Sequence, residues 1–269
     1  MHSVMNNLAT LLAESSGKKT LFMAHMIAGY PTMQDSEKVA EALAKGGADI
    51  IELQIPFSDP MADGPAIAVA SDEAIRAGAT VAKSLALLEK VAKLGKPVAV
   101  MTYVNIPFRY GFSKFVKTIA KAGASALIVP DCPFDTEEGR ELLTACKEND
   151  VFLIPVVSPG VPKERLEYLA SAEGGSSSGG KGFVYCTSRQ GITGANSKFA
   201  KELFDFVKEL KETFKLPIAV GFGVKSKEDV VGLAKVADIV IAGSVFVSAI
   251  KTSGSDAIEK TMRELVSWG

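Results

Sequence analysis

Glu52 is a lone carboxylate in the otherwise apolar run 50–53, preceded by Asp49. A charge inside such a run is costly unless it is used or paired. With a side-chain period of two, Glu52 points away from the side taken by Ile51 and Leu53. That aims it into the interior of any closed sheet. The chain continues Glu52-Leu53-Gln54-Ile55-Pro56-Phe57-Ser58-Asp59-Pro60-Met61-Ala62-Asp63-Gly64-Pro65. Its prolines stiffen a loop that carries Asp59 and Asp63. Two carboxylates in different surroundings suit general acid and base work. They equally suit a buried Glu held by backbone donors and Asp residues that cap turns.

Two glycine groups point to different chemistry. Gly221-Phe222-Gly223 and Gly243-Ser244 each follow a short Val/Ile/Ala-rich run. Glycines let a backbone approach an oxyanion closely, and loops of this kind cradle phosphates through N–H groups. Either group alone could simply mark a turn. Together, after adjacent strands, they point to a phosphorylated ligand. A third segment, 185–198, contains Arg189, Gly191, Thr193 and Gly194 and has the composition of a mobile loop or lid. His25 lies in an apolar strand and is expected to be a hydrogen-bonded core residue. No His, Asp or Glu spacing suits a metal.

Apolar runs at 20–28, 49–53, 98–103, 126–129, 151–157, 183–187, 218–221 and 238–242 read as strands, with a helical stretch between each and the next. Strict alternation implies parallel strands with crossover helices. Eight units in 269 residues fit an α/β fold of the (β/α)8 TIM-barrel type with an additional N-terminal helix, spanning 1–269 as one domain. A doubly wound open sheet is the alternative, but Gly29-Tyr30-Pro31 is not a dinucleotide loop. Thr32 and Gly46-Gly47 bracket the first crossover helix. Gly47-Ala48-Asp49-Ile50-Ile51, Gly123-Ala124-Ser125-Ala126-Leu127 and Val236-Ala237-Asp238-Ile239-Val240 form a weak internal echo at helix-to-strand junctions. The Gly/Ser stretch 174–180 precedes a strand, so it is expected on the barrel face away from the site.

Composition excludes several classes. A net charge of −1 offers no basic excess for nucleic acid. No run is apolar for long enough to span a bilayer, and residues 1–19 lack the pattern of a signal peptide. Cys132, Cys146 and Cys186 are odd in number and widely spaced, which suits reduced thiols in a cytoplasmic protein.

The segment 52–65 resembles the signature ELGxPFSDPxADGP of the tryptophan synthase alpha subunit family. Ser188-Arg189-Gln190-Gly191-Ile192-Thr193-Gly194-Ala195, following Tyr185, is similar to that family's SRxGxTGA. Met101-Thr102-Tyr103, Asn105, Phe108-Arg109-Tyr110-Gly111 and Gly221-Phe222-Gly223 match in order. The resemblance implies cleavage of indole-3-glycerol phosphate to indole and glyceraldehyde 3-phosphate. It makes Glu52 the catalytic acid/base and Asp63 the acceptor of the indole N–H. Tyr185 becomes a substrate neighbour and Thr193 a lid residue ordering Asp63. Gly194, Phe222, Gly223, Gly243 and Ser244 become the phosphate set, with Pro56 and Asp59 facing a beta subunit. It further implies an alpha2beta2 heterotetramer in which pyridoxal phosphate belongs to the beta partner, with no cofactor or metal in this chain. Gln54 departs from the family pattern, which has Gly there. Other phosphate-binding barrels lack the long second-loop signature. A catalytically weak subunit that mainly activates its partner is the alternative from another class.

Overall fold

The computed structural model describes residues 6–17, 19–171, 182–187, 198–221 and 223–267. The Gly/Ser stretch, the segment carrying Thr193 and Gly194, and Phe222 lie outside the described residues.

Strands run through Leu21–Ile27 (β1), Ile50–Gln54 (β2), Val98–Met101 (β3), Ala126–Ile128 (β4), Val184–Thr187 (β6), Ile218–Gly221 (β7) and Ile239–Ala242 (β8). The fifth strand, β5, is in two pieces, Phe152–Leu153 and Val156–Val157. The expected unbroken strand 151–157 is therefore interrupted at Ile154 and Pro155. Proline has no N–H to give to a ladder. The break also lets the strand serve both neighbours. Ile154 N donates to Leu127 O at 2.9 Å on one side, and Pro155 O accepts from Tyr185 N at 2.9 Å on the other. All described pairings are parallel, in the order β5, β4, β3, β2, β1, β8, β7, β6 and back to β5. The sheet is a closed eight-stranded barrel wrapped by helices.

Side chains divide by parity, as strand geometry requires. Inward positions give a compact interior core that includes Met23, Ile50, Met101, Phe152, Phe183 and Ile241. Outward positions such as Phe22, Ile51, Val100 and Val240 pack under the helices in a second, larger core. Because both faces are covered, the strands read as continuous apolar runs rather than alternating ones.

The N-terminal helix α1 (Asn7–Ser15) closes one mouth of the barrel. Its Leu8 and Leu12 belong to the interior core. Asn6 caps the helix by accepting from Leu8 N at 3.0 Å, while its amide donates to Ser125 O and Asp150 O. The first crossover helix, α2 (Met33–Gly46), is capped by Thr32 and ends at Gly47 in the left-handed conformation, as its sequence signals require. With the N-terminal mouth closed by α1, the open mouth is the one at the C-terminal ends of the strands.

Candidate active site

The open mouth is built from the C-terminal ends of the strands. On β1 and β2 the register pairs His25 with Glu52 and Ile27 with Gln54. Glu52 and Gln54 continue the inward parity of Ile50, and His25 continues that of Leu21 and Met23. All three are buried, Glu52 at 2 % and Gln54 at 0 % exposure. His25 Nδ1 lies 3.2 Å from Glu52 Oε2, close enough for an ion pair but not aligned as a hydrogen bond.

The loop after β2 brings Asp63 back over these groups. Its course is fixed by turns and two anchors. Met61 N donates to Asp59 O and Asp63 N to Pro60 O. Phe57 N donates to the buried Ser71 Oγ at 3.0 Å, and Ser71 Oγ donates back to Phe57 O at 3.1 Å. Tyr103, from just past β3, stacks on Phe57 with ring centroids 5.4 Å apart, and its hydroxyl accepts from Ala62 N at 3.1 Å. Gln54 Nε2 then donates to Asp63 Oδ2 at 2.6 Å. Pro56 is buried within the chain, whereas Asp59 is exposed and accepts from the Ser58 hydroxyl.

The electrostatics follow from this burial. Desolvation raises the Asp63 pKa; the nearby Glu52 adds to the rise, while His25, Gln54 and Tyr103 only partly offset it. For His25, burial alone would lower the pKa. The Glu52 carboxylate, helped by Asp63 and Gln54, outweighs it and holds the imidazole above its usual 6.5. Tyr185 is pushed well above the ordinary phenol range by burial and by the charges of Glu52 and Asp63, so it stays protonated beside the two carboxylates.

The opposite wall is made by missing side chains. A Cβ on Gly221 would sit 2.6 Å from the Tyr185 hydroxyl, and one on Gly243 would sit 2.9 Å from His25 Cδ2. Both positions need glycine for space rather than for an unusual turn. Gly243 caps the helix Ser244–Ser253 without a side-chain hydrogen bond. That N-terminus therefore offers its dipole and free amide donors to an anion. Gly223 is exposed, with φ +55.

The structure thus brings Glu52, Asp63 and Tyr185 together, and it sets Gly223, Gly243 and Ser244 at the ends of β7 and β8 on the same mouth. Thr193, Gly194 and Phe222 lie outside the described residues. Sequence reasoning missed three participants. The sequence places His25 as a hydrogen-bonded core residue, Gln54 only as a departure from the family pattern, and Tyr103 only as part of a motif. A polar residue at an inward position of an otherwise apolar strand was the available signal for His25. Among the described residues no group of three His, Cys, Asp or Glu could hold a metal ion, and no helix is long and apolar enough to cross a membrane.

A sequence profile of the family "Tryptophan synthase alpha chain" matches residues 11–268. The tryptophan synthase alpha chain of Desulforapulum autotrophicum is 37% identical over 249 residues, covering 92% of this chain and 95% of the relative. That of Halalkalibacterium halodurans is 39% identical over 245 residues, covering 90% and 89%. Among solved structures, a Mycobacterium tuberculosis tryptophan synthase chain superposes with a TM-score of 0.86 at 33% identity, covering 98% of both chains. The Campylobacter jejuni tryptophan synthase subunit alpha gives 0.80 at 38% identity, covering 92% and 96%.

Proposed function

The chain belongs to the tryptophan synthase alpha chain family, the lyases that cleave indole-3-glycerol phosphate, and from that premise we propose that Glu52 and Asp63 carry the cleavage at the open mouth of this barrel. The observation that carries the assignment is the convergence of the two carboxylates with the protonated Tyr185 at the open mouth, where each feels the charge of the others.

The reaction is a retro-aldol cleavage. A proton is added at indole C3, which turns the ring into a leaving group. Loss of the proton from the adjacent side-chain hydroxyl forms the aldehyde, and the electrons of the C–C bond return to the ring. No net proton is consumed. Glu52, at the end of a rigid strand and facing inward, supplies and collects these protons. Asp63 accepts the ring N–H and balances the positive charge that protonation puts on the ring. The glycine wall takes the phosphate: Gly223, Gly243 and Ser244 offer backbone donors and a helix N-terminus, and Gly194 and Phe222 complete the set. Thr193 orders Asp63 when the lid closes.

The family works with a beta partner. We assign an alpha2beta2 assembly in which the loop bearing Pro56 and Asp59 faces that partner, and pyridoxal phosphate belongs to the beta subunit. We also take residues 1–269 as one domain, because a single ring of strands draws on the chain from β1 to β8. A cytoplasmic location suits three free, buried cysteines.

Glu52→Gln keeps the shape and removes the titrating group. Indole release from indole-3-glycerol phosphate should fall by about a thousandfold, within the range of a lost general acid/base, with substrate binding and fold retained. Near-normal turnover, with and without beta subunit, would remove Glu52 from the chemistry. Negligible indole release from the unmodified chain even with beta subunit present, together with acceleration of the beta subunit's own reaction, would instead favour a mainly regulatory role.

A further inference from the structure

Four buried side-chain atoms at the mouth have no hydrogen-bond partner among the described residues: His25 Nε2, Glu52 Oε2, Gln54 Oε1 and Thr102 Oγ1. Three of them belong to one contiguous set. Glu52 Oε2 faces His25 Nδ1 at 3.2 Å, and Gln54 ends on Asp63 Oδ2 at 2.6 Å. His25 Nε2, a potential donor, and Gln54 Oε1, an acceptor, are both left without a partner beside these contacts. The Gln54 side chain is close enough to His25 to help hold its proton. Buried polar atoms left without partners are rare and demand an explanation.

We propose that His25 and Gln54 are positioning residues for the cleavage, His25 holding the Glu52 carboxylate by charge and Gln54 holding Asp63 by its amide, so that one buried chain of polar groups fixes both carboxylates. The proposal rests on the reading of Glu52 and Asp63 as the reacting pair. It also explains Gln54, which has no counterpart in the family signature. An amide can accept from an imidazole with its oxygen while donating to a carboxylate with its nitrogen, as Gln54 Nε2 does to Asp63. Gly243 completes the arrangement from β8, since any side chain there would press on the imidazole ring.

Charge orders the system. Among the described residues, the titratable groups that act on His25 are Glu52 from β2 and Asp63 from the following loop, while Gly243, just past β8, meets the ring without a charge. The elevated pKa of His25 means that its positive charge is present below that pKa and is lost as pH rises through it. Turnover should therefore carry an alkaline limb that belongs to His25.

The test uses the full-length chain with its beta subunit, and the chain alone for spectroscopy. The sequence has two histidines, His2 and His25, so the imidazole resonance that disappears in His25→Phe is that of His25. In the unmodified chain this resonance should titrate above 6.5, and Glu52→Gln should lower its midpoint. His25→Phe keeps the ring volume and removes both nitrogens. Its kcat should fall about tenfold with KM little changed, the size expected for losing the influence of one nearby charge. The alkaline limb should vanish with it. His25→Asn keeps a donor near Nδ1 but removes the charge, so its kcat should stay as low as that of His25→Phe, again without the alkaline limb; recovery of the full kcat would show that the charge is not what matters. Gln54→Met keeps the length without the amide and should lower kcat in the same way. If the His25 midpoint is indifferent to Glu52→Gln, or if His25→Phe keeps its kcat and pH profile while Glu52→Gln is inactive, the positioning role is wrong and the acid/base reading stands. If Glu52→Gln itself turns over normally, the acid/base reading has failed, whatever His25 does. Should His25→Phe fail to fold, His25→Asn with its pH profile decides alone.

Discussion

The two mouths of the barrel both carry acidic side chains at strand ends, and they treat them in opposite ways. At the closed mouth Asp49 and Asp238 are consumed by structure. Asp49 Oδ2 accepts from Phe22 N at 2.9 Å while Oδ1 meets Lys19 Nζ at 2.8 Å. Asp238 Oδ2 accepts from Ile218 N at 2.8 Å while Oδ1 meets Lys211 Nζ at 2.9 Å. Each has a backbone donor and a cation. At the open mouth Glu52 has an unaligned histidine and an oxygen without a hydrogen bond, and Asp63 is held in a protonation-prone state by burial. Acids whose acceptor capacity is spent on the fold stabilise it. Acids whose capacity is left over are available to a substrate.

The comparison is broken most directly at Asp63. Asp63→Asn keeps the shape and an acceptor for the Gln54 amide but removes the charge that would face a protonated indole. Indole release should fall by about a hundredfold, a typical loss for one preorganised electrostatic contact. Thermal stability should move the other way. The folded-state pKa of Asp63 lies above its ordinary value, so its ionised form opposes folding at neutral pH, and that penalty disappears as pH falls through the folded pKa. The variant should melt higher than the unmodified chain at pH 7, and the difference should shrink on acidification. A lower melting temperature at neutral pH would mean that Asp63 is a structural acid like those at the closed mouth.

The glycine wall sharpens the comparison from the other side. Gly221→Ala places a methyl 2.6 Å from the Tyr185 hydroxyl, so the ring or the strand must shift. Overpacking of this kind costs about 1–3 kcal/mol. Indole release measured against substrate concentration should show kcat/KM reduced by about tenfold, as a misplaced substrate neighbour implies. Unchanged kinetics would show that Tyr185 can move freely and lines no substrate.

Much of this division was legible in the sequence. The alternation of runs gave the barrel, and period two correctly turned Glu52 inward. The echo at 47–51 and 236–240 proves to be one device used twice, an Asp that ties the start of its own strand to the strand before it. In the copy at 123–127 the position is Ser125, whose hydroxyl reaches Asn7 while its carbonyl accepts from Asn6. There the N-terminal helix takes the place that a lysine takes in the other two copies. What the sequence could not reveal was register. That His25 stands beside Glu52 follows only from how β1 is set against β2, and that Gln54 serves Asp63 follows only from how the loop returns. Local patterns report which way a side chain faces, not what it meets. The break in β5 was predictable in hindsight from Pro155, whose missing N–H is local information.

The smallest expected effect lies at the closed mouth, and it carries the control. Asp238→Asn leaves one acceptor where two were used, so either the Ile218 N–H or the Lys211 ammonium loses its partner. The side chain is partly exposed, 42% at Asp238 and 39% at Lys211, so solvent screens the ion pair and the backbone bond is the larger loss. That bond contributes about 1 kcal/mol. Asp49→Asn removes the matching pair at β1, where the acid is only 17% exposed, and should cost slightly more. Both variants should lower the denaturation midpoint and leave kcat and KM for indole-3-glycerol phosphate unchanged, because this mouth faces away from the reacting groups. Chemical denaturation alongside steady-state kinetics reads both quantities on the same preparation. Loss of turnover at unchanged stability in either variant would mean that the closed mouth communicates with the site through the strands, and the separation of structural from chemical acids would then fail.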